Sequence, residues 1–483
     1  MKRKIWIRAD GNAQIGLGHI IRCIALAQML KDEFDIYFAS KEAPQALHRE
    51  IEDARFSFRK FDHEKEFFAE LSGKEIVVLD HYGLGTAYQK RVKDTGCKLV
   101  CIDDLHDKEF YADLIINHAP GVKKINYQTQ LYTQFALGVE YALLRPAFLK
   151  AAKKKRVIAN IGTVLICFGG SDHKNLTTLT LQIALCYASI KKIIVVTGAA
   201  YPYEKELKII SEKSAKVKCY HSIDDNKMAA LMLRSDLAVV PASGILLEAL
   251  AVGCKVISGM NVDNQKVFFE EYKTLGLFIS AENFSAGNLK VAFNKCFETQ
   301  KSTLSIIDGE SDVRVLKIFR QLNIELEVSL RKVEKADVGI TYNWASSNAI
   351  RAFSFNQHKI NYEEHCNWFL KTLEDGKCFY YIAEFGQKLV GSIRFNIKEQ
   401  DALISYLVDS DFQNIGLGII LLKKGVAALS NEEKSSFKRI VGIVQPQNIA
   451  SCKAFEKLGF KREIKENNYQ YSILINKDAN RKL

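Results

Sequence analysis

Short β-rich apolar runs alternate with amphipathic helical stretches along the N-terminal part of the chain, and this alternation constrains the fold more than any other feature. The runs at 5–8, 36–39, 76–80, 99–103 and 114–117 are separated by helical patterns, the first of them over 19–31. A parallel connection needs a crossover long enough to hold a helix, so strands that alternate with helices imply a parallel sheet covered on both faces. Around 145–158 the pattern pauses at Pro146 and a lysine cluster, then resumes with runs at 164–168, 192–197, 216–220, 237–240 and 255–258. The reading is two doubly wound, Rossmann-like α/β domains in series, over 1–150 and 151–325. Beyond a polar and then helical segment at 302–323 the pattern changes. Helical stretches at 342–353 and 362–373 precede runs at 379–384, 389–396 and 402–408 that read as consecutive antiparallel strands. An α+β domain is therefore expected over 330–478.

Composition supports several packed cores. At 483 residues, 48% hydrophobic and 26% charged, the chain exceeds what one core supports and is no candidate for disorder. Its apolar runs fall short of the roughly 18 residues of a membrane helix, and the opening run is interrupted by Arg8 and Asp10 too early for a signal peptide. No membrane association and a cytoplasmic location are expected. The eleven cysteines include no C-x-x-C pair, and Cys97 and Cys101 flank a strand. Cys23, Cys167, Cys186 and Cys254 sit singly among apolar residues, so reduced core thiols are expected rather than disulfides or a metal site. A net charge of +12 suits an anionic partner, a nucleotide diphosphate or coenzyme A as well as nucleic acid. The densest basic run, 153–156, has no interleaved aromatics and no nucleic-acid motif around it, so it reads as a solvated interdomain segment and no nucleic-acid partner is expected. The pattern carries no signature of oligomeric state.

Gly11, Gly16 and Gly18 lie in the turn between the first strand and the first helix, where free backbone N–H groups and the positive helix end favour anions. The spacing differs from the G-x-G-x-x-G dinucleotide fingerprint. His19 opens the helix, where a positive helix end favours an imidazole that accepts a proton; a capping or buried histidine is the alternative. Arg8-Ala-Asp10, Ile15-Gly-Leu-Gly-His19 and Arg22-Cys-Ile-Ala-Leu-Ala closely resemble the opening of the UDP-2,4-diacetamido-2,4,6-trideoxy-β-L-altropyranose hydrolases of pseudaminic acid biosynthesis. Leu79-Asp80-His81-Tyr82-Gly83, Ile102-Asp103-Asp104 and Gly138-Val-Glu-Tyr-Ala-Leu-Leu-Arg145 fit the same family, and the resemblance covers the first 270 residues or more. It implies a glycosyltransferase-B-like fold and makes His19 the base. Asp10 and Asp80 then orient sugar or water, and Gly16, Gly18, Arg22, His81 and Tyr82 line the UDP-sugar site.

In the second domain the run at 164–168 ends in Gly169-Gly170-Ser171, small residues with N–H donors where a diphosphate fits. The run at 237–240 leads to Ser243-Gly244, with Glu248 about one helical turn further on, placed to accept bonds from ribose hydroxyls. With Asn264-Gln265 downstream, the stretch resembles the UDP-binding part of the glycosyltransferase-B group. It departs from that group at Ala242 and Ile245, where another small or hydroxylated residue is frequent. The implied reaction holds UDP between the two domains while water attacks the sugar C1, with no metal. Three alternatives stand beside it: a glycosyltransferase that passes the sugar to an acceptor, a hydrolase of a related nonulosonic acid route, and a nucleotide-sugar-binding scaffold without catalysis.

The run at 402–408 is followed by Gln413-Asn414-Ile-Gly416-Leu417-Gly418 and a largely apolar helix over 419–428. This Q-x-x-G-x-G turn resembles the pyrophosphate loop of the GNAT acetyltransferases, whose consecutive N–H groups at a helix start wrap coenzyme A. The run at 440–444, then Asn448 and Ser451, then Phe455-Glu-Lys-Leu-Gly459-Phe460, resembles the later strand, asparagine and helix of that superfamily. Acetyl-CoA is the co-substrate this implies, bound by Gln413, Asn414, Gly416, Leu417, Gly418, Asn448 and Ser451. Trp344, Arg351, Glu364-His365 and Trp368-Phe369 more loosely resemble the acetyltransferase that acts on the UDP-4-amino sugar one step before the hydrolase. Many GNAT enzymes have an acidic tyrosine where this chain has Phe455, which leaves Tyr469, Tyr471 or water for that part. Glu364, His365 and Ser392 are the candidates for a base.

Overall fold

In the computed structural model, which describes residues 2–11, 18–42, 45–130, 132–262, 265–298, 306–432 and 437–474, the apolar run Ile76–Asp80 is a fully buried central strand. It belongs to a seven-stranded sheet in the order Ser57–Lys60, Phe34–Ser40, Arg3–Ala9, Ile76–Asp80, Lys98–Ile102, Leu114–Asn117, Gln134–Leu137. Every pair in it is parallel. The chain builds outward from Arg3–Ala9 to one edge and then crosses to the other side at Ile76–Asp80. The two strands that flank this reversal end together, with Ala9 in register with Asp80. Loops leaving such a reversal diverge and open a crevice at the carboxyl ends of the strands.

A six-stranded sheet repeats the scheme. Its order is Val217–His221, Lys192–Thr197, Thr163–Ile166, Leu237–Pro241, Lys255–Gly259, Ile279–Ser280, again all parallel, with the reversal between Thr163–Ile166 and Leu237–Pro241. Val164, Ile166, Ile193, Val195, Leu237 and Val239 pack in one core with Leu181 and Phe293 from the helices Leu176–Leu185 and Ala286–Glu298. The run expected at 164–168 ends as a strand at Ile166, although Cys167 and Phe168 remain buried as they lead into the glycine turn.

The third sheet is mixed. Val328–Lys332, Cys378–Phe385, Lys388–Lys398 and Asp401–Val408 pair antiparallel in succession, Asp401–Val408 pairs parallel with Arg439–Val444, and Asn468–Leu474 and Lys461–Lys465 complete the sheet antiparallel. Pairing between Asp401–Val408 and Arg439–Val444 stops at Ile404 and Gly442, so Ser405 to Val408 run on past the last shared rung. The helical stretch expected at 342–353 breaks at Ser347, which adopts extended geometry between Val338–Ser346 and Asn348–Arg351.

The chain divides into two compact units, Met1–Thr129 with Thr133–Ile318, and Gln130–Tyr132 with Phe319–Leu483. The first contains both parallel sheets and the second the mixed sheet. All eleven cysteines are free: Cys23, Cys97, Cys101, Cys167, Cys254, Cys296 and Cys452 are buried, whereas Cys186 and Cys219 are exposed, so Cys186 is not the core thiol its apolar neighbours suggested. No helix among the described residues is long and apolar enough to cross a membrane.

Candidate functional site

Asp80 ends its strand at the reversal of the first sheet with no exposed surface. Three donors from the helix Gly18–Leu30 converge on its carboxylate. His19 Nδ1 lies 2.5 Å from Oδ1, Arg22 donates to Oδ1 and Oδ2 at 2.6 Å each, and the Cys23 thiol lies 3.5 Å from Oδ2. Residues 19, 22 and 23 share one helix face by the 3.6-residue period, so one turn delivers all three. Burial opposes charge on Asp80, but Arg22 and His19 outweigh it and hold the carboxyl well below the ordinary range. An ionised carboxylate only accepts, so His19 carries its hydrogen on Nδ1 and leaves Nε2 as the basic nitrogen. The Tyr82 ring stands edge-on to His19, with centroids 4.5 Å apart.

Three of the expected site residues are hydrogen-bonded within the protein. Asp80, expected to orient sugar or water, has both oxygens engaged, Oδ1 by His19 and Arg22 and Oδ2 by Arg22. Asp10 is also occupied. Its Oδ1 accepts from the Ser40 hydroxyl at 2.9 Å and the Lys41 amide at 2.8 Å and pairs with Arg8, while His81 Nε2 lies 3.3 Å from Oδ2. His81 Nδ1 accepts the Gly83 amide at 2.9 Å, which leaves the hydrogen on Nε2 for Asp10. Asp10 therefore fixes the position of His81. Arg22, expected to contact the nucleotide sugar, is consumed by Asp80 and, at 3.0 Å, by Asp104.

Asp104, part of the Ile102-Asp103-Asp104 match, was given no role from the sequence, and His118 was not singled out. Asp104 Oδ2 accepts from Arg22 and from the Tyr82 hydroxyl at 3.1 Å, but its Oδ1 is buried without a hydrogen-bond partner among the described residues. His118 Nδ1 is in the same state. Burial and the Arg22 charge hold the His118 imidazole down to about 4, so it is neutral. Buried polar atoms left open beside an ordered cluster are where a polar ligand satisfies the protein. Gly18 has nothing within 4 Å of where a side chain would begin, and Gly16 lies outside the described residues.

At the second sheet, Gly169 adopts φ of +84° and Gly170 lies exposed beside it. Asp172 caps the following helix through the amides of Leu176 at 3.0 Å and Thr177 at 2.8 Å. Those two donors are occupied, and they lie outside the turn Gly169, Gly170 and Ser171 that the sequence proposed for a diphosphate. Ser243 is the N-cap residue of Gly244–Ala251, yet its side chain makes no cap bond and the space at Gly244 is open. Glu248, read as a ribose acceptor, is buried, and its Oε1 accepts from Arg145 at 2.7 and 3.1 Å. The Gln265 side chain accepts the Asn261 amide at 2.8 Å and braces its own loop; Asn264 lies outside the described residues. Among the described residues no cluster of three or more His, Cys, Asp or Glu is arranged to hold a metal.

In the second unit, Asn414 at φ +66° and Gly416 at φ +89°, with Ile415 between them, lead into the helix Leu417–Ser430, whose N-cap Gly416 has no side chain to cap it. A helix start that no side chain caps favours an anion, which fits the pyrophosphate of coenzyme A. Leu417 is buried as the first helical residue, and the Gln413 side chain donates to the Val408 carbonyl at 3.3 Å. Asn448 caps the helix Ile449–Lys457 through the Ser451 amide at 3.1 Å. Asn448 is thus a structural cap, and Ser451 contributes its hydroxyl to a bond with Tyr406.

A cavity of about 530 Å³ in the same unit reaches the strand end Ser405 to Leu407. Glu364, His365 and Ser392 all line it, as do the cations Arg351, Lys359 and Arg394. Arg394 lies over the Trp368 ring at 4.7 Å, and its Nε is buried without a partner among the described residues. His365 Nε2 lies 3.1 Å from the Thr341 hydroxyl, and burial lowers its affinity for a proton. Trp344 and Phe369 are core residues: Trp344 Nε1 donates to Asp409 at 2.6 Å, and Phe369 is fully buried.

Residues 342–460 match the acetyltransferase (GNAT) family. Over 97% of this chain and 99% of its own length, an uncharacterized protein of Methanocaldococcus jannaschii is 26% identical. A UDP-2,4-diacetamido-2,4,6-trideoxy-β-L-altropyranose hydrolase of Campylobacter jejuni is 28% identical over 54% of this chain and 93% of its own. The spore coat polysaccharide biosynthesis protein SpsG of Bacillus subtilis is 26% identical over 66% of this chain and 98% of its own. Among solved structures, spermidine N-acetyltransferase of Vibrio cholerae with CoA and spermine is 18% identical over 31% of this chain and 95% of that one, with a TM-score of 0.28. A hydrolase-like domain is thus fused to a GNAT acetyltransferase domain, for which acetyl-CoA is the co-substrate.

Proposed function

We propose that this chain performs two consecutive steps on one nucleotide-linked sugar in pseudaminic acid biosynthesis. The C-terminal domain N-acetylates a UDP-4-amino sugar with acetyl-CoA. The N-terminal domains, over 1–150 and 151–325 in a glycosyltransferase-B-like arrangement, then hydrolyse UDP-2,4-diacetamido-2,4,6-trideoxy-β-L-altropyranose to UDP and free sugar.

The observation that carries the hydrolytic reading is the commitment of His19 Nδ1 to Asp80 at the carboxyl end of the central strands. In this reading Nε2 takes a proton from the water that attacks C1, and the C1–O bond breaks with its electron pair going to the diphosphate. The exposed glycine turn at Gly170 and the Gly244 helix start, which no side chain caps, stabilise that charge. Asp104 Oδ1 and His118 Nδ1, both unpaired among the described residues, supply polar contacts for the sugar. The likeness to the Campylobacter jejuni hydrolase supports the same assignment.

For the acetyltransferase, the charge of the cavity supports an anionic acceptor. Arg351, Lys359 and Arg394 face a single carboxylate, Glu364. Such a lining favours a diphosphate-bearing amine and repels a polycation. Eleven free thiols support a cytoplasmic, reducing location.

The test is incubation of UDP-4-amino-4,6-dideoxy-β-L-AltNAc with acetyl-CoA and the full chain, without sugar acceptor, followed by mass spectrometry. Free diacetamido sugar with UDP is the expected product. An acetylated UDP-sugar that persists uncleaved refutes the hydrolase, and an unmodified substrate refutes the acceptor.

A further inference from the structure

One hydroxyl pair occupies the wedge where Asp401–Val408 parts from Arg439–Val444. Tyr406 lies beyond the last shared rung and lines the cavity, and its hydroxyl is 2.7 Å from Ser451 Oγ. A methyl group on Gly418 would come 3.5 Å from the Tyr406 ring and 3.9 Å from its hydroxyl. The phenol therefore stands between the start of the coenzyme A helix and the acceptor cavity, where a thioester has to meet an amine.

The phenols that the sequence offered, Tyr469 and Tyr471, are elsewhere, and Tyr380, which also lines the cavity, sits beside Ser392 with the two hydroxyl oxygens 3.5 Å apart. Position 455 is a phenylalanine, 1% exposed and stacked on Tyr471 with centroids 5.2 Å apart. A methyl on Gly442 would overlap its Cζ, so that ring tip points into the core. The Tyr471 hydroxyl donates to Glu456 at 3.0 Å, and the Tyr469 ring lies under Arg462. Neither lines the cavity.

We propose that Tyr406 is the hydrogen-bond donor to the departing sulfur of acetyl-CoA, with Ser451 donating in turn to the tyrosine oxygen. This rests on acetyl transfer at this cavity and not on which amine is the acceptor. The amine nitrogen forms the C–N bond while the C–S bond breaks with its electron pair going to sulfur. The surplus proton on nitrogen leaves to solvent, and the thiolate takes one from solvent, so amine and thioester become amide and thiol. Burial pushes the Tyr406 phenol up to about 12, whereas a free thiol titrates near ~8.5. A thiolate is too weak a base to strip that phenol, so Tyr406 keeps its hydrogen and stabilises the charge on sulfur.

The full chain is compared with Tyr406→Phe and Ser451→Ala. Coenzyme A affinity is measured by calorimetry, and the thiol of bound coenzyme A is titrated by its ultraviolet thiolate absorbance. Affinity is expected to be unchanged in Tyr406→Phe, with the bound thiol titrating about one pH unit higher there and by less in Ser451→Ala. With UDP-4-amino-4,6-dideoxy-β-L-AltNAc as acceptor, kcat is expected to fall about 10²-fold in Tyr406→Phe at unchanged KM for acetyl-CoA. A bound thiol that titrates at the same pH in all three proteins overturns the proposal. So does loss of coenzyme A binding in Tyr406→Phe, which would make the residue part of the binding surface. A wild-type chain that leaves this sugar unacetylated overturns only the acceptor reading, because the titration needs no acceptor.

Discussion

Replacing Asp80 by Asn keeps the shape of the side chain and removes one acceptor. Asp80 Oδ1 receives His19 Nδ1 and Arg22, and Oδ2 receives Arg22 Nε. Arg22 only donates, so the new amide nitrogen must oppose one of its N–H groups or turn toward His19. In the first case two donors collide in a buried site; in the second His19 is forced into the tautomer with its hydrogen on Nε2. Breaking a buried ion pair costs about 3–5 kcal/mol, and Arg22 keeps Asp104, so the low end of about 3 kcal/mol applies. At an unfolding entropy of roughly 0.65 kcal/mol/K for a unit of this size, the melting transition of the first unit drops by about 5 °C. Release of UDP from the diacetamido UDP-sugar, followed by phosphorus NMR, falls about 10²–10⁴-fold. Differential scanning calorimetry reads the stability, and the transition of the second unit serves as internal control. Melting within a degree of wild type together with more than half the UDP release would refute the assignment of Asp80 as the group that orients His19.

Asp113 accepts from Lys93 and Lys98, which hold its carboxyl down to about 2 against complete burial. A depressed pKa gives stability that is full above the unfolded value near ~3.9 and is lost as pH falls through 2, about 2.6 kcal/mol in all. Urea unfolding at pH 6 and pH 3 reads the first half of that loss, about 1 kcal/mol, and Asp113→Asn flattens the difference. Gly416→Val places a β-branched residue at φ +89° against Gln321, and calorimetry is expected to show coenzyme A affinity weakened at least about tenfold. Arg145→Met leaves the buried Glu248 without its counter-charge and lowers stability by about 3 kcal/mol, and the double variant with Glu248→Gln recovers part of it in thermal melting.

Ile76–Asp80, Leu114–Asn117 and Lys192–Thr197 were legible in the sequence to the residue, because continuous apolar runs between polar breaks have no solution but a buried strand. Ser57–Lys60 was not. It is an edge strand of the sequence Ser-Phe-Arg-Lys with three residues exposed, so it carries no apolar pattern. At the site, helical spacing could put His19 and Arg22 on one face, but only the sheet reveals that Asp80, 61 residues from His19, is their common acceptor. Glu248 was read as a ribose acceptor, and only the fold shows that an arginine 103 residues away is brought to it. Tyr406 escaped notice because its position depends on where two strands stop pairing, and that register is written in no local pattern.

The free thiols make the chain a reporter of its own opening. A thiolate is the form that alkylates, and burial pushes the Cys101, Cys167, Cys254 and Cys296 thiols upward, so in the folded state these positions stay silent while exposed Cys186 reacts. Cys23, Cys97 and Cys101 belong to the region of the first sheet, Cys167, Cys254 and Cys296 to that of the second, and Cys452 to the mixed-sheet unit. A pulse of alkylating reagent read peptide by peptide therefore times the opening of each region separately, without labels added by design.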